Sequence, residues 1–224
     1  MITSVKKNEL KSFTRSQLSY FYPDKYHFKG KDVDVALDIA LDRLEYCFNH
    51  IAFRGYSIEN EAFFSHLHSD QYSTYLYFLS NSLWNLSQNK ILCDKLVLLN
   101  RALHSIWFSY KCLLPNVFFL MHPVGTVLGN AKYGEYLVVY QNVTVNSNFD
   151  EKGRHAPYFG EKVILGTGAK ILGNKKIGDR VSITDVTIYN EEIKSDTIIY
   201  RDKDGTIKIK ERTKKNKILE AFFK

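Results

Sequence analysis

From Phe159 to Ile183 an apolar residue returns every six positions: Phe159, Leu165, Ile171, Ile177 and Ile183. Four positions after each come Val163, Ala169, Lys175, Val181 and Thr187, mostly small or β-branched, and Gly160, Gly166 and Gly178 directly follow three of the five. Neither a helix, with its period of about 3.6, nor an alternating strand, with its period of 2, produces this spacing. A short fixed period predicts a stacked solenoid. Each six-residue rung turns one apolar side chain inward, and stacking the rungs buries a continuous core. The small residue at the fourth following position suits a crowded corner. The pattern extends backwards through Leu128-Gly129-Asn130-Ala131 and through Val139, Val143 and Val145, with one rung near Lys132 or Tyr133 a residue short.

Ahead of the rungs the periodicity is helical. Helices are expected over Asn8–Tyr20, ending before Pro23, and over Asp32–Ile51, where Val33, Val35, Ala36, Ile39, Ala40, Leu44 and Phe48 form an apolar stripe. A third helical region runs from Glu59 to Leu86 with a break near Ser69-Asp70, and a fourth from Lys90 to Ile106. The dense aromatics Tyr72, Tyr75, Tyr77, Phe78 and Trp84 read as core or subunit interface. The texture changes near 111–117, and ten of the twelve glycines lie after Val124. The fold class is therefore α+β, with an α-helical domain over 1–115, a β-helix of hexapeptide repeats over 116–200 and a basic tail over 201–224. Two more strands joined at Asp204-Gly205 are expected within Glu191–Lys210, and a short amphipathic helix over Glu211–Lys224.

The chain of 224 residues has no run of transmembrane length and no apolar signal core at its N-terminus. Cys47, Cys93 and Cys112 show no metal-type spacing and read as reduced thiols of a cytoplasmic protein. The net charge of +7 is concentrated in residues 201–224, where nine Lys/Arg face four Asp/Glu. No nucleic-acid motif accompanies that excess, so Lys208, Lys210 and Arg212 are weighed as contacts for cofactor phosphates instead. No metal cluster, P-loop or serine-nucleophile motif stands in the chain. What remains is histidine base chemistry. His122 lies before Pro123 at the start of the rungs, and His155 lies beside Arg154 in the polar interruption Asn146–Pro157.

The stretches HPVGTVLGNAKYGEYLVVYQNVTV (122–145), GRH (153–155) and VILGTGAKILGNKKIGDRVSI (163–183) resemble the serine O-acetyltransferases of the hexapeptide-repeat acyltransferase superfamily. The helical DQYSTYLYFLSNSL (70–83) resembles the helical end of the same enzymes. The resemblance implies a left-handed parallel β-helix, although crossovers in parallel β structure are otherwise nearly always right-handed. It implies a homotrimer or dimer of trimers with active sites in grooves between neighbouring prisms. Acetyl-CoA is then the donor, with no metal. His122 matches the catalytic base; Arg154 and His155 match the pair that holds the acceptor, with His155 also counted as catalytic. Asp70 falls in the helical acceptor-binding segment. Gly166, Thr167, Gly168, Ala169 and Lys170 match the rung against CoA, and Asn146 falls where relatives carry a glycine facing the thioester.

The chain departs from the family at three acids. Met121 replaces the aspartate before the histidine, Trp107 the carboxylate that orients it, and His66 an acid just before Asp70. Glu135, Asp150 and Glu151 remain as candidates to orient His122. The expected activity is acetyl-CoA-dependent O-acetylation of a small hydroxyl acceptor, either serine or a surface-polysaccharide sugar, with the sugar preferred because the ammonium-binding acids are missing. N-acetylation of an amino sugar and a non-catalytic hexapeptide scaffold are the alternatives.

Overall fold

A computed structural model describes residues 1–224, which divide into two compact units, Met1–Lys111 and Cys112–Lys224. The first unit is built on α1 (Lys7–Phe21), α2 (Lys31–Asn49), α3 (Ser69–Ser87) and α4 (Lys90–His104). Helix α3 is buried on all sides from Asp70 to Leu83, which places Tyr72, Tyr75, Tyr77 and Phe78 in this unit's own core. The helix expected from Glu59 starts ten residues later. Glu59 and Asn60 both adopt positive φ (51° and 67°) and reverse the chain, so that Ser57–Ile58 pairs antiparallel with the start of Glu61–Phe64. Two consecutive positive-φ residues make the tight turn of a hairpin, a local geometry that apolar periodicity does not register. No helix is long and apolar enough to cross a membrane.

The second unit is a parallel β-solenoid with three faces. The first face stacks Phe118–Leu120, Leu137–Val139, Ile164–Leu165, Ser182–Thr184 and Thr197–Arg201 in parallel. The second stacks Val127–Leu128, Thr144–Val145, Lys170–Leu172 and Thr187–Tyr189. The third is narrower: Tyr158–Phe159 pairs with Lys176–Ile177, and single bridges add Leu113, Lys132 and Ile193.

All five six-residue marks from Phe159 to Ile183 point inward and are buried, as are Val163, Ala169 and Val181 at the corners. Lys175 and Thr187 are exposed. Beyond Ile183 the inward column steps to Ile188, Ile193 and Ile199, and Val186 takes the small-corner place expected for Thr187. The short rung lies between Leu128 and Tyr133. Tyr133 fills it by stacking on Phe159, with ring centroids 4.9 Å apart.

Corners on either side of the first face turn through left-handed residues. Gly125, Asn142, Gly168 and Asp185 (φ 73°, 57°, 72° and 52°) follow the first face, while Tyr136, Lys162, Arg180 and Asp196 precede it. Residues 201–224 belong to this unit. Ile207–Glu211 adds an antiparallel strand to Thr197–Arg201, and α5 (Lys217–Phe222) lays Phe222 on Phe119 at 4.7 Å. All three thiols are buried and unpaired with one another; Cys112 donates to the Gly129 carbonyl at 3.2 Å.

Candidate active site

Strand register fixes where each candidate side chain sits. Leu120, Val139 and Leu165 lie in one column of the first face, and Leu128, Val145 and Ile171 in one column of the second. The upper two rungs cross this corner in six residues, whereas the lowest rung takes eight, from Leu120 to Leu128. The two extra residues make the corner bulge at Met121–Val124. His122 sits at the bulge with φ of 47° and an exposed side chain. Gly166–Lys170 turns the same corner two rungs higher, about 10 Å along the axis at the ordinary strand spacing.

The glycines of that upper turn answer to the coil itself. A Cβ on Gly166 would come within 2.2 Å of the Thr184 hydroxyl, and Gly168 has the positive φ this corner demands. Ala169 is buried, and Thr167 and Lys170 are exposed along the edge, where a ligand can reach them. On the next corner, Asn146 spends its side-chain oxygen on the Gly173 amide at 3.0 Å. Its backbone presses on Gly129, whose Cβ would approach the Asn146 carbonyl carbon to 2.4 Å.

The polar interruption leaves that next corner, between the second and third faces. It forms a hairpin in which His155 and Ala156 pair antiparallel with Phe149 and Asn148. Asp150 organises its tip, accepting from the amides of Lys152 and Arg154, each at 2.9 Å, and from the Arg154 guanidinium at 2.7 Å. These bonds to Arg154 hold the Asp150 carboxyl below the usual carboxylate range. His155 packs against Phe149, and its Nδ1 is buried without a hydrogen-bond partner. One chain thus gathers His122 and Gly166–Lys170 on one edge and Arg154 and His155 on the adjacent edge.

Of the carboxylates considered for orienting His122, two are committed elsewhere. Glu135 accepts from the amides of Asn116 and Val117 at 3.1 and 2.8 Å, and Asp150 holds Arg154. Arg212 is also committed: it donates to the Arg180 carbonyl and to the Ser182 hydroxyl, on the corner before the first face rather than at Gly166–Lys170. Lys210 lies over the Tyr200 ring at 5.2 Å.

In the first unit, Asp70 is buried in the first turn of α3, with its backbone carbonyl bonded to the Thr74 hydroxyl at 2.8 Å. Sequence reading passed over its neighbour His104. Asn100 donates its amide N–H to the Ser73 carbonyl at 3.0 Å, so its oxygen is left to accept from His104 Nδ1 at 2.8 Å. That assigns the proton to Nδ1 and the lone pair to Nε2. Burial pushes the His104 imidazole down to about 4, against the opposing pull of Asp70. The unfolded chain, with a histidine near 6.5, takes up a proton as the pH falls from 6.5 to 4 while the folded unit does not. Stability present above pH 6.5 is therefore lost on acidification, by about 3 kcal/mol at pH 4. Urea midpoints of the helical unit should fall through that window, and His104→Gln should flatten the slope.

No family model matches the chain. It is 31% identical over 102 residues to a serine acetyltransferase of Synechococcus elongatus, a match covering 45% of this chain and 42% of that protein. A serine acetyltransferase of Staphylococcus epidermidis is 34% identical over 82 residues, covering 36% and 38%. In sequence and in fold, the chain is similar to the serine acetyltransferases. The crystal structure of the Vibrio cholerae serine acetyltransferase superposes with a TM-score of 0.59 at 17% identity, covering 95% of this chain and 92% of that one. Isoform 3 of Entamoeba histolytica, solved with cysteine, gives 0.60 at 19% identity over 94% of this chain and 74% of that one. The chain thus spans about two-fifths of the length of the curated serine acetyltransferases it matches, while helices followed by a solenoid are shared with the solved ones over 94–95% of this chain and 74–92% of theirs.

At the three positions where the resemblance places acids, the residues present make other contacts. Met121 is half-buried beside His122 and gives its amide to the Val139 carbonyl. Trp107 lies under the Arg101 guanidinium at 5.4 Å, and His66 Nδ1 is bonded to the Ser4 hydroxyl at 2.8 Å.

Proposed function

We propose that this protein transfers an acetyl group from acetyl-CoA to a hydroxyl of a small acceptor. The observation that carries the reading is the placement of His122 and Gly166–Lys170 on one edge of the coil, about two rungs apart. An extended donor lying along that edge, past Thr167 and Lys170, brings its thioester to His122. The imidazole takes the acceptor's hydroxyl proton as the oxygen attacks the thioester carbonyl. Backbone amides of the edge support the oxyanion. Collapse breaks the C–S bond, and the CoA sulfur leaves with the proton held by the histidine. Arg154, one edge of whose guanidinium is held by Asp150, keeps its remaining N–H groups for a polar group on the acceptor, and His155 offers a second polar contact. Since these two lie on a different edge from His122, a site containing all three is assembled from two copies, which supports a trimer or a dimer of trimers.

Serine is the acceptor that the names of the relatives favour. The absence of acids at Met121, Trp107 and His66 favours a sugar hydroxyl instead, since nothing at those positions attracts an ammonium. The test is release of free thiol from acetyl-CoA over a panel of serine, neutral sugars and amino sugars. Saturable release with a hydroxyl acceptor is expected; release with an amine alone would make the protein an N-acetyltransferase. Absence of CoA binding by calorimetry would make it a scaffold, and a monomer by light scattering would remove the shared site.

A further inference from the structure

On the third face, beside the hairpin, lies a cavity of about 680 Å³, within the range of small-molecule sites. Lys132, Arg154, His155, Tyr158, Lys175 and Lys176 contribute to its wall. Lys132, Tyr158 and Lys176 belong to one ladder of the face, with Tyr158 in the middle. The two ammonium groups lie 5.5 and 6.0 Å from the Tyr158 ring centre, which holds both stems toward the cavity. Lys175 holds the repeat position that Val163, Ala169 and Val181 fill with buried side chains at the other corners, and it is exposed. The only acid in the wall, Asp150, is paired with Arg154. Those two charges cancel, and three lysines remain with no carboxylate facing them in the wall. Beside them lies His155, whose Nδ1 is buried without a hydrogen-bond partner.

A single carboxylate leaves most of this charge uncompensated; a phosphate or diphosphate matches it. We infer that this cavity binds a phosphate group carried by the hydroxyl acceptor, so that the preferred substrate is a phosphorylated hydroxyl compound rather than free serine. The inference rests on the acetyl-transfer reading and sharpens it. CoA also carries phosphates, but the donor's edge is the one bearing Gly166–Lys170, and the cavity shares Arg154 and His155 with the acceptor.

The test uses the full-length protein and the double variant Lys132→Gln/Lys176→Gln, whose altered side chains are exposed. Thiol release is measured with matched acceptors, a sugar and its phosphate ester, and binding of inorganic pyrophosphate is measured by calorimetry with and without saturating CoA. The phosphorylated member should show a KM at least about tenfold lower, the scale of one charge-assisted contact. The double variant should erase that advantage, weaken pyrophosphate binding, and leave the KM for acetyl-CoA and the melting temperature in place. Equal KM values within matched pairs, or a variant that changes the KM for acetyl-CoA instead, would overturn the inference while leaving acetyl transfer standing. Lysine-dependent pyrophosphate binding without turnover of any acceptor would overturn acetyl transfer and keep the phosphate site.

Discussion

Replacing His122 by asparagine should lower turnover by about 10²–10⁴-fold, the usual loss when a positioned general base is removed. Acetyl-CoA binding and the melting temperature should stay at wild-type values. Asparagine suits this position for a structural reason. His122 has φ of 47°, and Asn tolerates the left-handed region far better than Ala or a β-branched residue. The imidazole is also exposed, so its loss opens no cavity. Activity and stability should therefore separate. If the imidazole instead serves to hold the long corner between Leu120 and Leu128, melting will drop and the folded fraction will keep its specific activity. Rates, calorimetry with acetyl-CoA and a melting curve on the same preparation distinguish the two outcomes.

The largest expected effect on stability is at Phe159. Its ring is fully buried and stacked on Tyr133 at 4.9 Å, with the planes within 10° of parallel. Truncating a core Phe to Ala typically costs about 3–5 kcal/mol, part of it from the cavity left behind. A solenoid adds a reason for the upper end: each rung is held by its neighbours, so a void in one loosens those above and below. Phe159→Ala should lower the unfolding midpoint of the Cys112–Lys224 unit by roughly 10–20 °C. Tyr189→Ala, at a residue 77% exposed, should change the unit's stability by no more than about 0.5 kcal/mol. Similar losses for the two would mean that the six-residue column does not carry the core.

The sequence alone determined the kind of core in each half. A 3.6 period and a six-residue period each count one lap of a local backbone path, so they survive without knowledge of any partner. Phe159 through Ile183 were legible inward positions for that reason. The expectation for Thr187 was not met, because the lap shortens once Val186 takes the corner, and spacing carries no warning of that. Likewise the Glu59-Asn60 turn depends on two backbone dihedrals rather than on hydrophobic pattern.

Only the tertiary structure decided how the candidate residues are grouped. Which edge of the coil a residue occupies depends on the laps below it. One corner two residues longer than its neighbours projects His122, and the hairpin displaces Arg154 and His155 to another edge. Whether a carboxylate is free to act also depends on partners distant in sequence. Glu135 reads as available until stacking places the Asn116 and Val117 amides against it. The same stacking turns Lys132, Lys175 and Lys176, scattered over more than forty residues of sequence, into one charged wall. Periodicity is a short-range property of the chain, whereas charge and hydrogen-bond satisfaction are properties of neighbours in space, and the neighbours are set only when the coil closes.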